Sequence, residues 1–402
     1  MTVRKRSPGG WERAVGRWRV LRHSLALALT GVLTIVLGGC SEEPAPGSAA
    51  EQTVTRLTEA LGGTDTEGYL RADHARSFRF PDDHGPHPGF RNEWWYITGN
   101  LDAENGDRFG FHITFFRVAL APEFGGDEAF RSSQWATHHI WMGHSAITDV
   151  AARRHVSEER FAREGAGLAG ATHPADRVWL EDWSLSGLGG DVWQLVVGSG
   201  PFALELDLTP LREPVLQGDA GLSQKGREPG NASFYYSVPR IAAEGTLRDG
   251  QTTRRVAGQA WLDREWSTSV LDAEQVGWDW FALQLDDGTD IMYYQLRLRD
   301  GSPDPLSKGR WMPRDAPDRL LRLEDVDLAP RRFATMPSGR RYPVAWTLSL
   351  PEYGQQLFIE AVLDRQEMDS FIPYWEGAVD IRDAEGRKIG RGFAELTGYD
   401  EP

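Results

Sequence analysis

Alternating apolar and polar positions run through most of the chain after residue 66 and predict β-strands. The strands come in pairs around short polar turns, which is typical of β-hairpins. The clearest pairs are Glu93–Leu120, Val192–Pro210, Trp278–Asp300, Val344–Asp364 and Tyr374–Leu396. Long amphipathic helical patterns are scarce, so the hairpins follow one another without crossover helices. The sequence therefore predicts an all-β protein made of antiparallel barrels or sandwiches.

One pattern occurs twice along the chain. The stretches EGTLRDGQTTRRVAGQAWLD, from Glu244, and EGAVDIRDAEGRKIGRGFAE, from Glu376, align without gaps. In both, a Glu-Gly pair precedes a strand, a charged turn and a second strand that carries an aromatic residue. We interpret the repeat as two tandem β-barrels, at residues 67–270 and 271–402. The first barrel is the longer, with its extra length near residues 120–230.

The N-terminus has the pattern of a secretion signal. Basic residues precede the apolar run Ser24–Cys40, which is short for a membrane span. The run ends in LGGC, which resembles a bacterial lipobox and predicts a signal peptide at residues 1–39 and lipidation of Cys40. Residues 40–66 then form a flexible tether, and Ser41 after the cysteine favours the outer membrane. We expect an exported bacterial lipoprotein that faces the periplasm; the alternative is an ordinary cleaved signal peptide.

Composition and charge exclude several classes of protein. Cys40 is the only cysteine, so the chain contains no intrachain disulfide and no all-cysteine zinc site. The formal net charge of −15 argues against nucleic acid and against electrostatic docking on anionic lipid. The histidine-rich stretch THHIWMGHSAI could bind a metal only if neighbouring strands brought several histidines together, and hydrogen-bonded histidines are the simpler interpretation. We predict no metal and no cofactor.

The stretch GQAWLDREW places carboxylates among tryptophans on a predicted strand. Alternate residues of a strand share a face, so Trp261, Asp263 and Glu265 lie on one side. A carboxyl group buried beside indole rings has a raised pKa and can act as a general acid. The alternatives are a solvated edge and a structural salt bridge between the barrels.

Comparison of the two copies of the repeat shows which residues of GQAWLDREW are shared and which belong to the first copy alone. Asp263 corresponds to the acid Glu395 in the second copy, whereas Arg264, Glu265 and Trp266 are replaced there by Leu396, Thr397 and Gly398. A feature needed only to close a barrel should occur in both copies, so this asymmetry favours a functional role for the first copy.

The stretch RNEWWYITGN offers a second carboxyl group beside aromatic residues. Glu93 and Trp95 share one face of the predicted strand, and Trp94 and Tyr96 share the other. Glu93 is either a structural partner of an arginine or a second candidate for a general acid.

Four motifs in order, FPDDHGPHPGFRNEWWYITGNL, YYSVPR, GQAWLDREW and YWEGAVDI…GRGFAELTGY, resemble the carotenoid 1,2-hydratase (hydroxyneurosporene synthase) and AttH-like lipocalin family. The resemblance runs from Phe80 to Tyr399. It implies two tandem lipocalin-like (calycin-type) barrels, a hydrophobic small-molecule ligand, and an association with ABC transporter components. Relatives include hydratases of isoprenoid alkenes.

These observations give two hypotheses. The first is a cell-envelope lipoprotein that binds a lipid or isoprenoid-like molecule. The second is an enzyme for a lipophilic substrate, either an acid-catalysed hydratase or lyase, or a hydrolase. The candidate catalytic residues are Asp263, Glu265, Glu93 and Glu376, and the candidate ligand-binding residues are Trp95, Tyr96, Tyr235, Tyr236, Trp261 and Trp280.

Overall fold

The computed structural model of the protein describes residues 66–122, 137–268 and 271–399, and the strands in these ranges pair with antiparallel neighbours. The first of two sheets contains β1 Asn92–Ala103, β2 Arg108–Ala119, β3 His139–Asp149, β4 Arg154–Arg163, β5 Ala169–Ala171, β6 Arg177–Leu180, β7 Trp183–Ser186, β8 Trp193–Ser199, β9 Phe202–Pro210, β10 Val215–Leu216, β11 Leu222–Gln224, β12 Ala232–Asp249 and β13 Thr252–Ser267. The second contains β14 Gln275–Leu285, β15 Asp290–Leu298, β16 Lys308–Met312, β17 Arg319–Arg322, β18 Asp327–Thr335, β19 Arg341–Leu350, β20 Gln355–Ala361, β21 Trp375–Arg382 and β22 Lys388–Leu396. Short 3-10 turns lie at Asp82–His84, Gly165–Gly167, Leu323–Asp325 and Pro351–Tyr353. The predicted all-β class is confirmed.

The five predicted hairpins are present as β1–β2, β8–β9, β14–β15, β19–β20 and β21–β22. Strand β8 shows why the pattern predicts them: Trp193, Leu195 and Val197 are buried and Gln194 between them is exposed. The turn into β9 contains Gly200 at a φ of 55°, a conformation that glycine adopts at little cost.

The first sheet curls into a nearly closed barrel. Its strands follow the order β4-β3-β2-β1-β13-β12-β9-β8-β7-β6-β5, and β10 and β11 pair with β12. The curvature brings β3 and β4 against β8, where Ser145 Oγ donates to the Gly198 carbonyl at 2.8 Å and Ser199 Oγ donates to the Val156 carbonyl at 3.0 Å. The enclosed core is apolar and includes Trp95, Ile97 and Leu262, so the inward positions of β1 and β13 fill it.

The second sheet forms a curled half-barrel in the order β17-β16-β15-β14-β22-β21-β20-β19-β18. Its concave face packs around Phe281, Trp346 and Trp375. The first sheet ends at Ser267 and the second begins at Gln275, in the stretch where the strand pattern of the sequence breaks.

The internal repeat corresponds to a repeated trio of strands, β1-β13-β12 and β14-β22-β21. Asp263 pairs across to Tyr96, and its counterpart Glu395 pairs across to Trp280. Tyr96 and Trp280 therefore occupy corresponding positions. The two copies differ in length and in their additional strands, but they share this strand arrangement.

The two sheets pack through these corresponding faces. The rings of Tyr96 and Trp280 meet edge to face, with centroids 5.0 Å apart. Two further contacts are reciprocal: Asn100 Nδ2 donates to the Gly392 carbonyl at 3.1 Å, and Gln284 Nε2 donates to the Ala260 carbonyl at 3.0 Å. Each copy thus makes the same contact to the other, as the two halves of a symmetric dimer do.

Residues 1–65 lie outside the described ranges, and with them the predicted signal peptide, the lipidation site Cys40 and almost the whole tether. No helix in the described ranges is long and apolar enough to cross a membrane.

Candidate functional site

A cavity of about 140 Å³ lies between the two sheets and is lined by strands of both. Eight aromatic side chains line much of it: Trp94, Tyr96, Phe116, Tyr235, Trp278, Trp280, Tyr294 and Tyr374. Strand alternation explains the composition of its walls, because the even positions of β1 and the odd positions of β13 point away from the core of the first barrel. We refer to it below as the inter-sheet cavity.

Asp263 projects from β13 into this cavity and is 3% exposed. Its carboxyl group accepts hydrogen bonds from Ser237 Oγ at 2.5 Å, Trp261 Nε1 at 2.7 Å and the hydroxyl of Tyr235. Burial raises the pKa of Asp263 to about 7, against the opposing effect of these neutral donors. Near neutral pH this carboxyl group can therefore both give and take a proton.

A second acidic group lies on the facing sheet. Glu395 lines the cavity and accepts a hydrogen bond from Trp278 Nε1 at 2.6 Å. Burial raises the pKa of Glu395 to about 7, and the negative charges of Asp263 and Glu265 add to the effect. Because Asp263 and Glu395 occupy corresponding positions of the repeat, the packing of the two sheets brings both acids to one cavity.

Glu376 lies behind Glu395, directly across from it on β21, and is 1% exposed. Tyr96 donates its hydroxyl to Glu376 Oε1. Burial and the adjacent Glu395 carboxylate raise the pKa of Glu376 well above its usual range, which favours its protonated form. Its Oε2 accepts no hydrogen bond from the described residues, which is consistent with an oxygen that carries a proton toward Glu395.

Glu265 also lines the cavity, but it is paired. Its Oε1 lies 2.8 Å from Lys225 Nζ, which sits over the ring of Tyr294 at 4.4 Å. Burial lowers the pKa of Lys225, yet the charge of Glu265 and its hydrogen bond raise it overall, so the pair is ionic. The pair sets a fixed dipole in the cavity wall.

A histidine forms another part of the wall. His144 on β3 is 2% exposed and shares a hydrogen bond of 2.8 Å between its Nδ1 and the hydroxyl of Tyr374. Its Nε2 lies 2.9 Å from Glu159 Oε1 on β4. Both His144 and Tyr374 line the cavity. These three residues come from two strands of the first sheet and from the segment that leads into β21.

Glu93 lies elsewhere, on the inner side of β1. It is fully buried at one end of the first barrel, where Arg264 Nη2 donates to its Oε2 at 2.9 Å and Arg117 Nε donates to its Oε1. Burial alone would raise the pKa of Glu93, but Arg117, His87 and Arg264 hold it well below the usual range. The structural alternative therefore applies to Glu93: it is a charged partner of two arginines and not a neutral acid.

The predicted ligand-binding residues fall into two groups, one at the inter-sheet cavity and one inside the first barrel. Tyr96, Tyr235 and Trp280 line the inter-sheet cavity, and Trp261 lies beside it as a donor to Asp263. Two others point into the first barrel. Trp95 donates its Nε1 to the His84 carbonyl at 2.8 Å, and the Tyr236 hydroxyl lies 2.6 Å from His84 Nδ1. Trp95 and Tyr236 therefore belong to the core of the first barrel and do not line the inter-sheet cavity.

The comparisons with known proteins fit this architecture. Residues 71–399 match the family model described as AttH-like. The chain belongs to the AttH-like family. A crystal structure of an AttH protein from Nitrosomonas europaea is 32% identical, with a TM-score of 0.72 over 82% of this chain and 99% of that one. No curated protein has significant sequence similarity to the chain.

A more distant structural match shows the same fold. Kievitone hydratase from Nectria haematococca is 12% identical to this AttH-like chain, with a TM-score of 0.61 over 84% of this chain and 98% of that one. At this identity the likeness establishes the fold alone.

Within the described ranges of the AttH-like chain, no group of three or more histidine, cysteine, aspartate or glutamate side chains could hold a metal ion. The sequence did not identify Glu395, Lys225, His144, Glu159 or Tyr374 as site residues. One signal existed for Glu395, because it aligns with Asp263 in the repeat. The other four come from separate strands and loops, and nothing in their local sequence shows that they meet.

Proposed function

We propose that this AttH-like protein is an enzyme that adds water to, or removes it from, an apolar small molecule in the inter-sheet cavity. One observation carries the proposal: Asp263 and Glu395, two buried carboxyl groups with a pKa of about 7, enter a cavity lined by aromatic rings. Carboxylic acids that are partly neutral at pH 7 are the groups that general acid catalysis needs.

Hydration of an alkene needs three things, and the cavity supplies groups for each. Asp263 can transfer its proton to one alkene carbon, so that the π electrons form the new C–H bond and the other carbon becomes a cation. The donors Tyr235, Ser237 and Trp261 then stabilise the carboxylate that remains. The faces of Tyr96 and Trp280 stabilise the cation until water adds to it. Elimination of water runs the same steps in reverse.

A binding protein is the second candidate. The aromatic walls of the cavity favour an apolar ligand whether or not a reaction follows. The two candidates differ in one respect, since a binding site has no use for two acids that titrate near pH 7. For this reason we rank catalysis first.

The test uses 3-methyl-2-buten-1-ol, a small trisubstituted alkene that would give a tertiary cation, as the probe. The wild-type protein should form the diol, and Asp263→Asn should lower the rate about 10²- to 10⁴-fold because the amide has no acidic proton. The rate should also fall about tenfold per pH unit above about pH 7, as Asp263 loses its proton.

The matched control is Asp207→Asn, at an exposed aspartate on β9. It should leave the rate and its pH dependence unchanged. Saturable binding of the probe by calorimetry, without conversion and without dependence on Asp263, would instead support the binding protein. An Asp263→Asn variant as active as the wild type would contradict the proposed acid.

We also propose that the chain is exported and anchored by a lipid on Cys40, facing the periplasm, with ABC transporter components as partners. The sequence around Cys40 supports the anchor. Cys40→Ser should abolish incorporation of labelled fatty acid and release the protein from washed membranes. Ser41→Ala is the control, and it should leave both unchanged. A Cys40→Ser protein that still carries lipid would contradict the anchor.

A further inference from the structure

His144, Tyr374 and Glu159 form a hydrogen-bonded chain from the inter-sheet cavity toward solvent. Tyr374 and His144 both line the cavity, and the side chain of Glu159 is 16% exposed. Glu159 is itself held in place, because the backbone N–H of Phe371 donates to both of its oxygens at 3.1 Å. The chain therefore joins the first sheet to the segment before β21.

The chemistry of the three groups fixes the direction of each hydrogen bond. A carboxylate only accepts, so His144 Nε2 carries the proton that Glu159 receives at 2.9 Å. In the neutral ring Nδ1 is then the acceptor, and Tyr374 donates its hydroxyl proton to it at 2.8 Å. Tyr374 is thus the donor, His144 is the base that holds it, and Glu159 orients the base.

We propose that Tyr374, His144 and Glu159 are a proton-accepting relay for the water that adds to the substrate. Tyr374 touches the water, His144 receives the proton, and Glu159 is a positioning residue. This inference rests on the proposed hydration. It assigns residues to the second half of that reaction, the addition of water to the cation, which the carboxyl groups of Asp263 and Glu395 do not perform. It adds catalytic residues that the sequence did not indicate.

The proposed step balances. Water oxygen forms a bond to the cationic carbon and loses a proton to the Tyr374 oxygen, while the hydroxyl proton of Tyr374 passes to His144 Nδ1. The Glu159 carboxylate stabilises the imidazolium ion by accepting the hydrogen bond of its Nε2–H group. After the product leaves, the Nδ1 proton returns through Tyr374 to water, which restores the ring with its proton on Nε2. A proton from solvent restores the acid form of Asp263. The net reaction is alkene plus water giving alcohol, with no oxidant or reductant.

The chain contains a matched pair for comparison. His139 on β3 and Glu164, directly after β4, form a similar pair, with 2.5 Å between Nδ1 and Oε1. Neither residue lines the inter-sheet cavity. His139→Gln therefore changes the same side chain on the same strand without touching the site.

The experiment separates the two halves of the reaction. The full-length protein is incubated with 3-methyl-2-buten-1-ol in D₂O, and mass spectrometry follows both diol formation and deuterium in the recovered alkene. Deuterium enters whenever the cation forms and loses a proton again, so it reports protonation alone. His144→Gln should lower diol formation about 10²-fold or more and leave deuterium exchange within a few-fold of wild type. His139→Gln should change neither, and Glu159→Gln should lower diol formation less than His144→Gln does.

Two outcomes would overturn the relay: diol formation at the wild-type rate in His144→Gln, or an equal loss of diol and exchange. A wild-type protein that gives neither product would overturn the proposed function and the relay with it. Nitrogen-15 NMR of histidine-labelled protein tests the relay without turnover. His144 should carry its proton on Nε2, and a proton on Nδ1 in the neutral ring would contradict the proposed direction.

Discussion

Two buried carboxyl groups of this protein differ in pKa because their partners differ. Asp263 accepts from a hydroxyl, an indole and a phenol, and its pKa rises to about 7. Glu93 is equally buried, but two guanidinium groups hold its pKa well below the usual range. Burial disfavours the charged form of both carboxyl groups and so raises the pKa of each. Only the positive charges around Glu93 outweigh this effect. Neutral donors leave a carboxyl group able to exchange a proton near pH 7.

Glu395 gives a prediction for the pH dependence of stability. Its pKa is raised from 4.5 to about 7 in the folded protein, so the folded state binds the proton more tightly than the unfolded chain does. The contribution of Glu395 to stability is therefore lost as the pH rises from about 4.5 through about 7. Glu395→Gln, which cannot titrate, should reduce the loss of stability that wild type shows across this range.

Urea unfolding at about pH 5 and at about pH 8 measures the effect. Glu205→Gln, at an exposed position of β9, is the control and should keep the wild-type pH dependence. An unchanged pH dependence in Glu395→Gln would show that this carboxyl group does not titrate in the expected range.

Strand β13 shows how much of the site the sequence could predict. Alternation correctly placed Trp261, Asp263 and Glu265 on one face and Arg264 on the other. It did not show that one face meets a second sheet while the other closes a barrel, because both faces are buried. The local sequence around β1 has the same ambiguity: Glu93, a candidate general acid or arginine partner, and Trp95, a candidate ligand-binding residue, both lie on the barrel side of the strand. The hairpins depend on local alternation, whereas the cavity depends on contacts between distant strands.

The ion cluster of Glu93 holds three strands together, since Glu93 lies on β1, Arg117 on β2 and Arg264 on β13. Glu93→Gln should destabilise the fold by about 3–5 kcal/mol, because it leaves two buried guanidinium groups without their counter-charge. Chemical denaturation measures the change. Glu205→Gln, on the exposed face of β9, should change stability by no more than about 0.5 kcal/mol. A loss in Glu93→Gln no greater than in this control would contradict the structural role.

At the scale of the whole molecule, the inter-sheet cavity depends on how closely the two sheets approach. Gly110 on β2 allows this approach, because a Cβ atom at this position would lie 2.8 Å from the Cβ of Ala378 on β21. Arg108 and Asp380 form an ion pair next to this contact. The cavity is therefore coupled to the packing of the sheets through a glycine that is not part of its lining.

Gly110→Ala should destabilise the protein by about 1–3 kcal/mol through this overlap. Ala378→Gly in the same chain removes the opposing methyl group and should restore most of the loss. Thermal unfolding of the two single variants and the double variant measures the coupling. Losses that simply add in the double variant would show that the two residues do not oppose each other.

The reciprocal contacts of Asn100 with Gly392 and of Gln284 with Ala260 have a geometric consequence for how such a site can originate. When two copies of one unit pack through the same face, each residue near the axis between them meets its own counterpart. A single acid on the repeated strand then supplies two carboxyl groups to one cavity without any second substitution. Once the copies are joined in one chain, each can change independently, so that one acid keeps the chemistry while the surroundings of the other diverge. Asp263 and Glu395 are such a pair of corresponding acids, and their hydrogen-bond donors already differ.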